Sequence, residues 1–331
     1  MKKSVIIIVL FSVTSLFAQA GVSDISSMSG AFSRMGFGAR GMGMGNALSS
    51  VTEGNLVSYY NPALSTFQMD NSFSASYSFM SLDRTLNFLN FTKRFELKSK
   101  GSETDKRKTR TPGLSIGLIN AGVSNIDGRD NQGIKTGDLS TSENQFFLSF
   151  SNKFSDKLAI GLAVKFYYYK LYEKVTSNGI GFDLGALYLL NPNINISLVL
   201  TDLNSKYKWD TAPVRDQSGK ITENKFPVSK KIGVSYRLPE QGLIAAVEFE
   251  NYTADANIIR AGAEYNIYDK LFLRAGIDKF NISNKDFPAR PSAGFSFSKK
   301  LTSFMVGIDY AYVFEPYSPS GQHILGVNIN F

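Results

Sequence analysis

The chain has 331 residues, 43% of them hydrophobic and 13% aromatic, with 28 Gly, 10 Pro, one His and no Cys. No disulfide framework, thiolate metal site or cysteine nucleophile can be built from it, and a single histidine is too few for a histidine metal cluster, so we expect no metal and no cofactor. The formal net charge is +8, but much of it lies in one run, Lys93 to Arg110, with eight basic and three acidic residues. A local run in a chain without a nucleic-acid reader motif reads as a solvated loop, not a nucleic-acid surface.

The N terminus reads as an address label. Lys2 and Lys3 form a basic n-region, an apolar stretch runs from Val5 to Phe17, and Ala18-Gln19-Ala20 supplies the small residues of a cleavage site. Residues 1–20 are therefore expected to be a signal peptide for Sec-type export. No later segment offers the roughly 18 to 20 consecutive apolar residues of a membrane helix.

Residues 21–70 do not alternate. They pass through Gly36-Phe37-Gly38-Ala39-Arg40-Gly41-Met42-Gly43-Met44-Gly45-Asn46-Ala47 and end at Tyr59-Tyr60-Asn61-Pro62-Ala63-Leu64. Gly36 to Gly41 matches G-x-G-x-x-G, but a dinucleotide site needs an apolar strand before it, and Ser26 to Met35 are small and polar. Glycines at this density let backbone pass closely against a wall.

From residue 71 onward the period is two. Leu158, Ile160, Leu162, Val164, Phe166 and Tyr168 alternate with Ala159, Gly161, Ala163, Lys165 and Tyr167, giving one greasy face and one of small residues with isolated charges. That second face suits the lumen of a transmembrane barrel better than the wet face of a sandwich. Alternating runs near 71–80, 85–96, 112–123, 144–154, 157–172, 178–190, 193–204, 228–238, 243–253, 256–266, 270–280, 289–299, 302–314 and 321–331 predict an all-β, antiparallel transmembrane barrel of about 14 strands over residues 71–331.

Short junctions at Ser155-Asp156, Asn191-Pro192, Pro239 to Gly242, Tyr268-Asp269 and Lys299-Lys300 fall at every second connection. Two long polar connections, Ser124–Glu143 and Ser205–Pro227, fall between them. If the terminal Phe331 serves as the insertion signal read by the barrel insertion machinery, it lies at the periplasmic rim; both long loops are then outside and the basic loop 97–111 inside. Tyr167, Tyr168, Tyr169, Tyr172, Tyr310, Tyr312 and Phe314 gather toward strand ends as interfacial girdles do.

Other constellations are weaker. Gly113-Leu114-Ser115-Ile116-Gly117 matches a nucleophile elbow and His323 lies downstream, but the motif opens a strand and parity puts the two at opposite rims; we expect no enzyme. Asp127 and Asp130 in the loop 126–133 read as a polar turn, since their spacing is not that of a calcium loop. On the lumen face, Glu248, Arg260 and Arg274 are predicted to stand in one row across three strands, as part of an interior network with Glu250, Glu264 and Asp278.

Two motifs, Gly38 to Ala47 and Val57 to Leu64, followed by the strand series, resemble the long-chain fatty-acid transporter superfamily (FadL/OMPP1) of Gram-negative outer membranes, and within it the PorV/PorQ branch associated with type IX secretion. The resemblance implies that residues 21–70 form an N-terminal hatch in the barrel, with Gly38, Gly41, Gly43, Gly45, Asn46, Asn61, Pro62 and Ala63 as its motif residues. It also implies residence in outer-membrane lipid. Its first functional expectation is the handling of secreted cargo proteins at the cell surface, with the two long loops as contact surfaces. The alternative is a passive channel for long-chain fatty acids or other hydrophobic small molecules.

Overall fold

The computed structural model describes residues 24–97, 111–212, 219–282 and 288–331. The expected signal peptide and nearly all of the basic loop lie outside these residues. The strands are β1 (Ser72–Phe79), β2 (Arg84–Arg94), β3 (Gly113–Arg129), β4 (Lys135–Lys153), β5 (Leu158–Tyr172), β6 (Val175–Asn191), β7 (Ile194–Leu203), β8 (Lys206–Asp210), β9 (Ile221–Lys225), β10 (Ser229–Leu238), β11 (Leu243–Tyr252), β12 (Ala256–Tyr268), β13 (Leu271–Asn281), β14 (Arg290–Lys300), β15 (Met305–Val313) and β16 (Gln322–Asn330). All but β8 and β9 close into one antiparallel barrel of fourteen strands, with β1 paired to β16.

The period of two sets which side chains turn inward. On β5, Ala159, Ala163, Lys165 and Tyr167 are buried, whereas Ile160, Leu162 and Phe166 are 41 to 47% exposed on the outside. The same holds on β4, where Phe146, Leu148 and Phe150 face out and Gln145, Phe147 and Ser149 face in. An exposed apolar surface repeated around the closed wall is what a barrel in lipid presents. The small inward residues leave room for something else to fill the lumen.

The rim that carries Phe331, here the near rim, also carries the short junctions between β4 and β5, β6 and β7, β10 and β11, β12 and β13, and β14 and β15. Phe331 is exposed there, exchanges backbone hydrogen bonds with Asn71 and stacks on Phe91 at 6.4 Å. Arg94 and Gly113, which flank the basic loop, pair with each other at the same rim. The two long connections lie at the opposite, far rim.

Both long connections are more ordered than loops. Ser124–Glu143 mostly extends β3 and β4, which pair as far as Arg129 and Lys135. The alternation fades there because both faces of the extension meet water. Asp127 is paired with Arg129 and Lys135, and Asp130 caps the turn by accepting from the Gln132 and Ile134 amides. Ser205–Pro227 contains the β8–β9 hairpin, which lies inward: Tyr207 and Phe226 are buried against Tyr167, with ring centroids 4.8 to 6.4 Å apart. Burial and the nearby Glu143 push the Tyr207 hydroxyl pKa up, while Lys206 holds the Glu223 carboxyl below its usual range.

A charge on the outward face tests this orientation. Leu162→Arg should cost about 2–4 kcal/mol of folding stability in lipid, as for a cation near the bilayer midplane. Urea titration of the barrel in vesicles measures it; unchanged stability would mean that Leu162 does not face lipid.

Candidate functional site

Residues 30–68 run through the lumen. A short helix α1 (Asp24–Ser27) leads to a 3-10 turn at Ala31–Arg34, then to the six-residue helix α2 (Gly38–Gly43), and the segment ends in a 3-10 turn at Pro62–Phe67. From Ala39 to Val51 every residue is buried. Apolar members pack on the β2–β4 side, where Phe37 meets Phe88 at 4.9 Å and Phe147 at 5.8 Å.

The wall is cut to receive this segment. A Cβ added at Gly113 would overlap the backbone of Ser65 and Thr66; at Gly161 that of Pro62; at Gly262 and Gly276 that of Met44 and Gly45. The lumen-facing glycines therefore mark where segment backbone lies against strand backbone. Gly45 matches from the other side: its φ is +59°, and a side chain there would overlap the main chain of Ile277 and Ala261.

Motif residues of the two halves meet. Asn61 caps the 3-10 turn by accepting from the Ala63 amide at 2.9 Å. Its Nδ2 donates to the Ser49 carbonyl at 2.9 Å and the Ala186 carbonyl at 3.2 Å. Pro62 takes the first helical position, where its missing N–H is no loss. Tyr60 places its hydroxyl 2.8 Å from Asn46 Oδ1, accepts from the Phe37 amide at 2.9 Å, and rests where a Cβ on Gly41 would be. Gly41 and Asn46 thus belong with Tyr60, although 14 to 19 positions separate them. Gly38, at φ +68°, opens α2, and Gly43 lies against β14 and β15 with its carbonyl accepting from Ser292.

Polar side chains of the segment are held by charges on β11–β15. Arg40 makes a bidentate pair with Glu264, at 3.0 and 2.8 Å. Asn46 donates to Asp278 at 3.0 Å, and the Ser49 amide donates to Glu248 at 2.5 Å. Glu248 stands opposite Arg260, as the predicted row requires. Arg274, however, stands opposite Glu264, because the β12–β13 hairpin turns at Asp269–Lys270 and not near Ile267, which slides β13 along β12 by four residues. Arg260 is paired with Glu250 and Asp278, and Arg274 with Glu264 and Asp309.

Sequence reading missed a second cluster. Lys165 lies 2.7 Å from Asp183 and 3.1 Å from Asp202, and the Tyr167 hydroxyl donates to Asp202 at 2.6 Å. The available signal was a single charge on the small-residue face of each of β5 and β6. On the β5–β15 side of the lumen, with the adjoining Glu315, eight described acids (Asp183, Asp202, Glu248, Glu250, Glu264, Asp278, Asp309, Glu315) face six bases (Lys165, Lys231, Arg260, Arg274, Lys279, Arg290). On the opposite wall, β2–β4 present Leu86, Phe88, Ile119, Phe147 and neutral polar groups. Ser115 sits at the near rim bonded to Asn90 and Thr92, and His323 at the far rim beside Tyr310, so they form no catalytic pair.

Space remains on both sides of the segment. Toward the far rim, a cavity of about 150 Å³ lies between Met35 and the wall, lined by Met80, Leu86, Ala121 and Val123, with Arg84 and Glu143 at its polar edge. Toward the near rim, a cavity of about 310 Å³ is bounded by Arg40, Gly54, Asn55, Glu264, Arg274 and Asp309. Between them, Arg34, Tyr59, Tyr60, Lys165, Glu250 and Arg260 enclose about 20 Å³, room for one water. The wall itself is stepped: β6 pairs with β7 only as far as Phe182, and its outer residues are flanked by β8, where the Lys208 amide donates to Ser177 Oγ at 2.8 Å.

Solved structures share this architecture. The Pseudomonas putida toluene transporter TodX superposes with a TM-score of 0.58 at 14% identity, covering 89% of this chain and 96% of that one. A Pseudomonas aeruginosa FadL homologue gives 0.56 at 9% identity, covering 89% and 98%. At these identities the likeness establishes the fold, that of FadL-type outer-membrane barrels. No family model matches the chain, and no curated protein matches it by sequence.

The cap at residue 61 offers a direct check. Asn61→Ala should destabilise the segment by about 1–2 kcal/mol through loss of the cap and its side-chain bonds. Faster trypsin cleavage after the buried Arg40 in folded barrels is the expected readout; an unchanged rate would mean that Asn61 does not hold the segment.

Proposed function

We propose that the protein is an outer-membrane channel for small, neutral hydrophobic solutes, closed at rest by its own N-terminal segment acting as a hatch. The observation that carries this reading is the pairing of a filled lumen with an apolar cavity on the far side of the segment and an open polar one on the near side. A cavity near 150 Å³, apolar at Met35, Met80, Leu86, Ala121 and Val123 and polar at Arg84, Thr141 and Glu143, has room for a single ring or a short acyl segment. Solute would enter at the far rim, rest against Met35, and leave past the near rim once the segment moves. The fold shared with a toluene transporter and a FadL homologue supports a passive route of this kind.

Charge argues for neutral solutes over fatty acids. With the segment displaced, the wall between the rims would present an excess of carboxylates, and a carboxylate solute would meet like charge in a narrow, low-dielectric passage. Cargo handling, the first expectation from the PorV/PorQ resemblance, has less support. The connection 205–227, expected as a contact surface, has Tyr207 and Phe226 buried at the lumen mouth.

Uptake of labelled toluene and of laurate by Gram-negative cells with and without the protein tests the proposal. Toluene uptake should rise severalfold while laurate uptake stays unchanged, and Met35→Trp, which fills the far-rim cavity, should abolish most of the gain. Faster laurate uptake with unchanged toluene uptake would overturn the neutral-solute reading. No change in either would reject the channel.

A further inference from the structure

Resting on that channel reading, we propose that opening moves only the half of the segment that carries α2, released by rupture of the Arg40–Glu264 pair toward the near-rim cavity, while the turn at Pro62–Phe67 stays on the wall as an anchor.

The two halves are attached by different means. On the anchor side, Pro62 to Thr66 are all buried, with their backbone seated against Gly113 and Gly161. Neutral groups hold them: Ser65 Oγ lies 3.1 Å from Ser151 Oγ, Thr66 bonds to Thr111, and Asn61 reaches the Ala186 carbonyl. The chain then enters β1 at Ser72, itself a wall strand. Lifting this turn would strip close backbone contacts while its tether stayed fixed.

On the α2 side the close backbone seat lies at Met44 and Gly45, at the end of the helix, while Arg40 within the helix is held by an ion pair with space beside it. Arg40 lines the near-rim cavity of about 310 Å³, and Gly54, which is exposed, lies over its guanidinium. Rupture orphans neither partner. Glu264 keeps Arg274, whose Nε lies 2.5 Å from it, and Arg274 keeps Ser296 and Asp309. Arg40 moves into a cavity already lined by Asp309 and Asn55, next to the water of the near rim. A buried ion pair is costly to break chiefly when one charge is left unpaired, and here both have somewhere to go.

Backbone geometry places hinges on either side of α2. Gly36 and Gly38 precede or open it at φ +117° and +68°, and Gly45 and Asn46 follow it at +59° and +61°. Met35, which forms one wall of the far-rim cavity, lies just before the first hinge, five positions from Arg40 at the near-rim one. The chain from Gly36 to Arg40 joins the two cavities' walls, so its displacement with α2 opens them toward each other while Met35 stays in place. Arg40 acts here as a positioning residue: it holds the closed state and need not touch solute.

Because the chain has no cysteine, paired cysteines can lock each half separately. A Cβ on Gly43 would lie 3.4 Å from Ala311 Cβ, close to disulfide spacing, so Gly43→Cys with Ala311→Cys ties α2 to β15. Ser65→Cys with Ser151→Cys ties the turn to β4. Toluene uptake by cells producing each full-length variant is measured oxidised and after reductant, beside the unaltered protein. The α2 lock should abolish uptake until reduced, the turn lock should leave it unchanged, and Arg40→Gln should raise it. Unimpaired uptake with the α2 lock closed, or loss of uptake with the turn lock closed, overturns the proposal. Absence of uptake by the unaltered protein rejects the channel reading itself, a separate result.

Discussion

A fourteen-stranded barrel encloses more space than its own small inward side chains can fill, and that unfilled space is the constraint on which the rest of this structure depends. The chain fills it with its own residues 30–68. Polar backbone taken into the lumen must find partners there, and the wall supplies them at fixed places: Glu248 for the Ser49 amide, Ser292 for the Gly43 carbonyl, Ser235 for the Ser50 carbonyl. Where the segment comes closest, the wall has glycine. Wall and segment are complementary surfaces, and the composition of the inward face follows from what it covers.

The lumen is also divided. Strands β2–β4 present aromatic and aliphatic groups to Phe37 and its neighbours, while β11–β15 present carboxylates and arginines to Arg40 and Asn46. The apolar half offers a solute the same contacts it offers the segment, so a hydrophobic molecule competes for surface that Met35 and Phe37 already use. The charged half discriminates. If the segment is displaced as proposed, the face it leaves carries more carboxylates than bases, which favours neutral solutes over carboxylates.

How much of this was legible in the sequence follows from where the alternation holds. Strands bounded by lipid outside and segment inside alternate strictly, so β5, β12 and β15 stood out from Leu158, Ile259 and Phe304 onward. Beyond the apolar band the pattern fades, and the outer parts of β3 and β4 read as a polar loop although they are paired strand. The β8–β9 hairpin had a weak signal, the aromatics Tyr207 and Trp209 two positions apart, but nothing local told that they turn inward. Register was readable across the tight β11–β12 turn, where Glu248 faces Arg260. It was lost at β12–β13, because the chain turns at Asp269–Lys270 and not near Ile267, so Arg274 faces Glu264 in place of Arg260. The partnership of Gly41 with Tyr60 is a contact between distant positions, invisible without coordinates.

Hydrogen–deuterium exchange of the full-length barrel in lipid nanodiscs, with and without toluene, tests the central claim most directly. Without solute, amides from Ala39 to Val51 and from Ala63 to Thr66 should be as protected as those of β12 and β13. With toluene, protection should fall around α2 and persist at residues 63–66. Rapid exchange through residues 39–51 before any solute is added would contradict a lumen filled by the N-terminal segment, and with it the account of how this barrel is closed.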